Sequence, residues 1–198
     1  MNAQSSTSIR LGVVALGKLP GIIPKSIAAH ISGYLNLNTD VLPSLEHPAY
    51  ALNKERLQYD AGVILKHLEQ EHFSDYEKII AVVEVDLFVP IFTHVFGEAR
   101  QGGKCGLVSV YRLNDEQDDS VPLPPLLLER AAKVSLHEAG HLLNLVHCTD
   151  ERCLMHFSGK LADLDRMPLY FCRYCVAYLR DFLRAVSAPP RPGTGDHS

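Results

Sequence analysis

Apolar positions along the chain follow two periods, and the densest cluster lies near the middle. Residues 78–85 include the run Ile79-Ile80-Ala81-Val82-Val83, which has no polar side chain to turn towards solvent. Because successive side chains of a strand point to opposite faces, this run predicts a central strand that is covered on both faces. Residues 9–15 are also rich in aliphatic side chains and predict the first buried strand.

Other segments repeat their apolar residues at helical spacing. Residues 24–34 predict a helix that packs behind the sheet, because Ile27, Ala28 and Ile31 fall on one of its faces. A long helix is predicted over residues 126–143, after a Pro-rich stretch. The remaining predictions are helices over residues 60–71 and 172–186, strands over residues 40–42, 92–99 and 106–111, and an irregular connection over residues 45–57.

The composition fits one folded domain. The chain has 198 residues, of which 46% are hydrophobic, and this suffices for one substantial core. We predict a single α+β domain over residues 1–187 and a disordered tail over residues 188–198, where Pro and Gly are frequent. The acidic residues 114–120 predict a loop.

Charge and the N-terminal region restrict the partners and the location. The formal net charge is −4, which gives no electrostatic reason to expect nucleic acid as a partner. The apolar run at residues 11–16 is too short for a signal sequence or a membrane span. Five cysteines, an odd number, argue against the disulfide framework of a secreted protein. We therefore predict a cytoplasmic monomer that binds neither nucleic acid nor membranes.

Candidate chemistry lies at the end of the long predicted helix. His137 and His141 are four residues apart, so a helix places both imidazoles on one face, within reach of one metal ion. Glu138 follows the first histidine and points beside the metal, where it can take a proton from a metal-bound water. The H-E-x-x-H pattern thus predicts two zinc ligands and a general base.

A third histidine follows six residues after the second. On a continuous helix, His147 would lie about 240° around from His141 and could not bind the same ion. The chain must therefore turn sharply between them, at a residue that tolerates a left-handed conformation. Asn144 occupies the required position, and Asn is second only to Gly in this tolerance. We predict that Asn144 ends the helix.

Directly after this histidine, four cysteines form a second potential metal-binding set. Cys148 and Cys153 make one short pair, and Cys172 and Cys175 make another. Two such pairs close together in the sequence can form a tetrahedral thiolate site for a structural zinc ion. Buried free thiols or local disulfides are the alternative for these residues.

The long histidine motif followed by Met155 resembles the signature of the metzincin metalloproteases, and the four added cysteines resemble one branch, the archaemetzincins. The resemblance is specific over residues 136–175. It implies that His137, His141 and His147 bind a catalytic zinc ion. By the same resemblance, Glu138 would be the general base, and the four cysteines would bind a second, structural zinc ion. Met155 would form the Met-turn, an apolar floor beneath the metal.

The resemblance also implies a fold and an activity. The expected fold is a metzincin-like zincin, with a twisted mixed sheet, a backing helix and the active-site helix in an upper subdomain over residues 8–144. A small lower zinc-binding subdomain over residues 145–187 would hold the Met-turn and the final helix. Residues 94–99 would be the edge strand, which binds a peptide or protein substrate as an added strand. The implied activity is hydrolysis of peptide bonds, and a zinc-stabilised binding protein with little or no turnover is the alternative.

Two features depart from the family pattern. Asn144 stands where the family has Gly, and the spacing between Met155 and Cys172 is one residue shorter. Asn144 can keep the left-handed backbone that Gly provides there. The shorter spacing falls in a loop, and loops absorb such changes in length.

The remaining candidate residues show weaker patterns. The other histidines lack the spacing of metal ligands and are predicted to be surface, tail or core residues, with His94 and His156 as candidates for the cleft. Tyr170 and Tyr174 either reach an oxyanion or pack around the last helix. Cys105 is predicted to be a small core residue rather than a nucleophile.

Overall fold

The aliphatic run at residues 79–83 forms the centre of a five-stranded sheet. The structure is a computed structural model that describes residues 9–71, 73–114 and 125–188. The strands in these residues are β1 (Arg10–Leu16), β2 (Asn38–Val41), β3 (Leu52–Asn53), β4 (Gln58–Asp60), β5 (Lys78–Val83), β6 (Leu87–Val89), β7 (Phe92–Val95), β8 (Gly97–Ala99) and β9 (Cys105–Ser109). The main sheet has the order β2-β1-β5-β9-β8, in which β8 is an antiparallel edge strand and the other four are parallel.

Helices cover both faces of this sheet. They are α1 (Ile22–Leu35), α2 (Ala61–Leu68), α3 (Pro125–Leu142), α4 (Leu161–Arg166) and α5 (Arg173–Ser187). In β5, Ile80 and Val82 belong to the core that α1 and α3 share, whereas Ile79, Ala81 and Val83 belong to the core beneath α2. Because each face of β5 is buried against a helix, every position of the run is apolar, and the predicted central strand is confirmed.

A smaller sheet, which the sequence does not predict, has the order β3-β4-β6-β7. Residues 92–99, predicted as one strand, are two strands in different sheets: β7 pairs with β6, and β8 pairs with β9. The chain changes sheets at Phe96, whose side chain is buried in the α1 and α3 core. The prediction of one continuous strand was therefore wrong, and the edge strand of the main sheet is limited to Gly97–Ala99.

The other predicted elements occur close to their expected positions. The backing helix is α1, the long helix is α3, and the final helix is α5, so the predicted α+β fold with a mixed sheet is confirmed. The irregular segment 45–57 contains the short strand β3, and the short helix α4 was not predicted. The predictions of a loop over residues 114–120 and of a disordered tail over residues 188–198 fall, beyond residues 114 and 188, outside the described residues. The division into two subdomains stays a prediction.

Helix α3 fixes the C-terminal part of the chain to the sheet. Arg130 donates from Nε and Nη2 to the two carboxylate oxygens of Asp165, at 2.7 and 2.8 Å. Lys133 Nζ donates to the carbonyl oxygen of Leu164 at 3.1 Å. These bonds hold α4 against α3, one to two turns before the histidine pair.

No helix in the residues that the structure describes is long and apolar enough to cross a bilayer.

Candidate active site

Helix α3 ends one residue after the second histidine. Asn144 has a positive φ of 70° and follows the last helical turn. The Asn144 N–H donates to the carbonyl of His141 at 2.9 Å, and the Leu145 N–H donates to the carbonyl of Gly140 at 2.9 Å. These are the two bonds of a Schellman motif, in which a left-handed residue reverses the chain. The prediction that Asn144 ends the helix is confirmed, and the reversal carries His147 back to the helix.

Three imidazoles converge at this reversal. One nitrogen each of His137, His141 and His147 lies within 4.8 Å of the others. The ring centroid of His147 is 4.8 Å from that of His141 and 5.2 Å from that of His137. The Nε2 atoms of His137 and His141 are 3.1 Å apart. The sequence prediction that these three residues meet is confirmed, although they belong to two different segments of backbone.

Two carbonyl groups set the tautomers of the helical pair. His137 Nδ1 lies 2.8 Å from the oxygen of Leu154, and His141 Nδ1 lies 2.9 Å from the oxygen of Leu145. Because a carbonyl can only accept, each Nδ1 carries the proton and each Nε2 presents a lone pair. Two facing lone pairs attract a cation rather than each other. Nitrogen ligands of a tetrahedral zinc ion lie roughly 3.3 Å apart, given bonds of about 2.0–2.1 Å, so this donor set fits zinc.

The histidines are held neutral by their surroundings. Burial, with a contribution from neighbouring His141, lowers the pKa of His137 to about 3. Burial also lowers the pKa of His141 and that of His147. Only the neutral imidazole binds a metal, so all three are competent ligands at neutral pH.

The side chain of Glu138 extends from α3 towards the edge strand β8. This side chain is buried, and its Oε1 atom would lie 2.6 Å from a Cβ at Gly97 in β8. Burial raises the pKa of Glu138 well above its ordinary value, and the nearby charge of Glu98 raises it further. A dication held by the adjacent histidines would oppose this shift. A carboxylate in such a dry position binds a proton more readily than one in water, as a general base must.

A cleft of about 330 Å³ opens in front of the histidines. Its sheet-side wall comes from β7 and β8, and its other wall comes from the segment after Met155 and from α4. The side chains that line it besides the motif residues include His94, Glu98, Lys133, Val134, Val146, His156, Phe157, Ser158, Leu164 and Met167.

The four cysteines form a second cluster behind the cleft. Their sulfur atoms all lie within 4.8 Å of one another. Cys148 Sγ is 3.8 Å from Cys172 Sγ, and Cys153 Sγ is 3.6 Å from Cys175 Sγ. Disulfide sulfurs are about 2.0 Å apart, whereas thiolates around a tetrahedral zinc ion are separated by roughly 3.8 Å. The cluster thus has the spacing of a metal site, and the alternative of local disulfides is excluded.

The two sets of side chains are joined through short stretches of backbone. His147 and Cys148 are adjacent in the sequence. Leu154, whose carbonyl accepts the proton of His137 Nδ1, directly follows Cys153. The Cys148 N–H donates to the carbonyl of Met155 at 2.8 Å. Displacement of the cysteines would therefore move two of the three imidazoles.

Sequence reasoning missed most of the cleft wall. His94 and His156 line the cleft, whereas Tyr170 and Tyr174 are exposed outside it. Cys105 is buried in the core beneath α2, as predicted. His94 and Glu98 are four residues apart, which would place both on one face of a single strand, but they belong to β7 and β8, which lie in different sheets. The cleft-lining residues that follow Met155 show no regular spacing in the sequence.

Known proteins with similar sequences point to one family. A family model described as peptidase family M54 matches residues 27–181. The archaemetzincin of Methanocaldococcus jannaschii is 37% identical over 142 residues, which cover 72% of this chain and 77% of that protein. The archaemetzincin of Methanopyrus kandleri is 35% identical over 179 residues, which cover 89% of this chain and 98% of that protein.

Solved structures agree with the sequence relatives. The crystal structure of the Methanopyrus kandleri archaemetzincin matches with a TM-score of 0.80 at 34% identity, covering 93% of this chain and 99% of that one. A zinc-dependent peptidase from Methanocorpusculum labreanum matches with a TM-score of 0.76 at 26% identity, covering 85% of this chain and 99% of that one. The chain therefore belongs to peptidase family M54, the archaemetzincins, and is a zinc metallopeptidase.

Proposed function

We propose that this metallopeptidase hydrolyses peptide bonds with His137, His141 and His147 as the ligands of its catalytic zinc ion and Glu138 as the general base. The observation that carries this proposal is the convergence of three neutral imidazoles beside a buried carboxyl group, with the Nε2 atoms of His137 and His141 facing each other at 3.1 Å. Three protein ligands leave the fourth position of a tetrahedral zinc ion open for water or substrate.

A zinc ion held by these three histidines would supply a Lewis acid that polarises a carbonyl group and lowers the pKa of water. The chain's own residues then move the proton. Glu138 accepts it from the attacking water and delivers it to the leaving amine nitrogen. Burial of Glu138 supports both steps, because a carboxyl group with a raised pKa holds the proton until the amine needs it.

Strand β8 supports the binding of an extended peptide. It is the edge of the main sheet, lines the cleft with Glu98, and lies against Glu138 through Gly97. An extended peptide can add to such an edge through main-chain hydrogen bonds. A peptide or protein substrate bound this way would present its main-chain carbonyls towards the three histidines.

The four cysteines are proposed to hold a second zinc ion with a structural role. The separation of their sulfur atoms and the absence of disulfides among the described residues support a closed thiolate site. Burial raises the pKa of the Cys172 thiol, but the N–H groups of Cys175 and Tyr174 outweigh it and leave the pKa below its ordinary value. Cys172 is the N-cap residue of α5, where a thiolate is favoured.

The test is a mass-spectrometric cleavage assay on a diverse peptide mixture with zinc-loaded protein. Wild type and Glu138→Ala are compared at equal, measured zinc content, with two zinc ions per chain expected in both. We expect peptide cuts by the wild type that the variant makes at least about a thousandfold more slowly, because the proton acceptor is gone.

Two outcomes would contradict the proposal. Equal cutting by Glu138→Ala would remove Glu138 from the mechanism. If the zinc-loaded wild type cuts none of the peptides offered, a binding role for the fold would be favoured instead.

A further inference from the structure

Two phenylalanine rings meet across the cleft. Phe92 begins β7 on the sheet side, and Phe157 lies on the opposite wall, after Met155. Their ring centroids are 5.6 Å apart, and the rings stack with an interplanar angle of 27°. The Phe157 ring is also 5.4 Å from the ring of His147, edge to face. The aromatic pair thus joins the two walls beside a proposed zinc ligand.

This pair is not part of either hydrophobic core. Although they touch each other, Phe92 remains 42% exposed and Phe157 remains 48% exposed. Val146, which lines the same cleft next to His147, is 61% exposed. The fold gains little from burying these side chains, and exposed apolar surface inside a concave site is characteristic of recognition.

The position of Phe92 is fixed by its backbone rather than by packing of its ring. Arg56 Nη2 donates to the carbonyl oxygens of Phe92 and Thr93, at 3.3 and 3.2 Å. Gln58 Nε2 donates to the Thr93 carbonyl at 2.9 Å. The ring is therefore held over the cleft by a polar anchor, and its apolar surface stays available to a ligand.

We propose that Phe92 and Phe157 form a subsite that prefers an aromatic side chain of the peptide substrate close to the scissile bond. This inference rests on the proposed peptidase function. A substrate ring can pack on the open faces or edges of the pair in the offset or edge-to-face arrangements that aromatic rings prefer, with centroids about 4.5–7 Å apart. A substrate carboxylate would lose hydration there, since Val146 and both rings offer it no hydrogen-bond donor.

The distance to His147 limits which substrate residues can reach the pair. An extended peptide advances about 3.4 Å per residue. Since the Phe157 ring lies 5.4 Å from the His147 ring, side chains within about three residues of the scissile bond are in range. The preference should therefore appear at one of these positions and be absent farther along the peptide.

The experiment compares kcat/KM for matched peptides that carry Phe, cyclohexylalanine, Ala or Glu at each position within three residues of the cut. The zinc-loaded proteins are wild type, Phe92→Ala, Phe157→Ala, Phe157→Leu and the control Tyr34→Ala. Tyr34 has a similar exposure of 47% but lies on α1, outside the cleft.

We expect wild type and Tyr34→Ala to prefer Phe over Ala by roughly tenfold or more at one position, with Glu worst. The ratio of Phe to Ala should fall to about twofold in Phe157→Ala and decrease in Phe92→Ala. Phe157→Leu should keep the preference for cyclohexylalanine over Ala but lose part of the preference for Phe, because a Leu side chain retains apolar contact without ring stacking.

Failure of this inference is distinguishable from failure of the proposed function. Glu138-dependent cuts with the same Phe-to-Ala ratio in wild type and in both alanine variants would overturn the subsite and leave the peptidase intact. If no peptide is cut, binding of fluorescent Phe and Ala peptides to zinc-loaded wild type and Phe157→Ala decides the matter. Equal affinity of the two proteins for the Phe peptide would then overturn the subsite as well.

Discussion

Met155 packs directly against Gly140, so closely that a Cβ at residue 140 would lie 2.5 Å from the Met155 sulfur. Gly140 is in the turn of α3 between His137 and His141, and the Met155 side chain is fully buried. The glycine therefore allows the segment after the cysteine pair to approach the helix that carries two of the imidazoles. The same approach brings the Leu154 carbonyl within 2.8 Å of His137 Nδ1.

Replacement of this glycine should destabilise the protein. A Gly→Ala change inside a helix normally stabilises by about 0.5–1 kcal/mol, but Gly140→Ala must push Met155 away and should cost about 1–3 kcal/mol. Gly33→Ala is the matched control, because a Cβ there meets nothing within 4 Å. Urea denaturation measures both. Equal stability of the two variants would show that Met155 yields without cost.

The contact between Gly97 and Glu138 gives a prediction about turnover. A Cβ at residue 97 would lie 2.6 Å from Glu138 Oε1, so Gly97→Ala must displace the carboxyl group. We expect kcat to fall about 10–100-fold, because general-base catalysis depends on position, while bound zinc stays at the wild-type level. Gly21→Ala, which meets nothing within 4 Å, is the control. Unchanged kcat in Gly97→Ala would mean that Glu138 is not the base or relaxes freely.

Asn144 contributes through both its backbone and its side chain. Gln101 Nε2 donates to Asn144 Oδ1 at 3.0 Å, and Asn144 Nδ2 donates to the Tyr178 hydroxyl at 2.8 Å. Asn144→Ala loses both bonds and strains the left-handed backbone, which should lower the free energy of unfolding by about 2 kcal/mol. Asn144→Gly removes both bonds, but glycine adopts the left-handed backbone conformation without strain, so the free energy of unfolding should fall by only about 1 kcal/mol. Tyr178→Phe should lose less than either.

Chemical denaturation of these three variants tests that order. A Gly variant as stable as the wild type would show that the amide bonds contribute nothing measurable. An Ala variant as stable as the Gly variant would show that the positive φ of 70° carries no cost.

Loss of one cysteine should affect both metal sites. Cys172→Ser is expected to reduce bound zinc by one ion per chain, lower the melting temperature and weaken the remaining zinc about 10–100-fold, because the cluster holds the backbone next to His147 and His137. Cys105→Ala is the control, since Cys105 is buried in the core beneath α2. Metal analysis and calorimetry measure the effects. Unchanged melting with two zinc ions would exclude Cys172 as a ligand.

The Arg130–Asp165 pair predicts a dependence of stability on pH. Hydrogen bonding from Arg130 lowers the pKa of Asp165 below its ordinary value of 3.8. The stabilisation is therefore complete above about pH 4 and is lost as the pH falls through the lower, folded-state pKa. At neutral pH, Asp165→Asn should cost about 2 kcal/mol, a reduced value because the Asp165 side chain is 35% exposed.

The matched control is Asp181→Asn, which breaks an exposed pair with Arg180 and should cost under about 0.5 kcal/mol. Urea titrations between pH 2 and pH 7 should show the wild-type advantage over Asp165→Asn shrinking below about pH 4. An advantage that is constant over this range would contradict the assigned ion pair.

The sequence determined the local features of the site. Helical spacing placed His137 and His141 together, and the need for a left-handed residue identified Asn144 as the end of the helix. The apolar run at residues 79–83 identified the central strand. Each of these conclusions rests on a pattern within a few consecutive residues, which the amino-acid sequence displays directly.

Only the tertiary structure decided how distant segments form the cleft. The change of sheets at Phe96, the packing of Met155 on Gly140 and the pairing of Phe92 with Phe157 all join residues that are far apart in the sequence or in different sheets. No periodicity records such contacts, because they depend on the relative placement of whole elements. The candidate metal ligands were thus predictable from spacing and family resemblance, whereas the walls of the cleft required the fold.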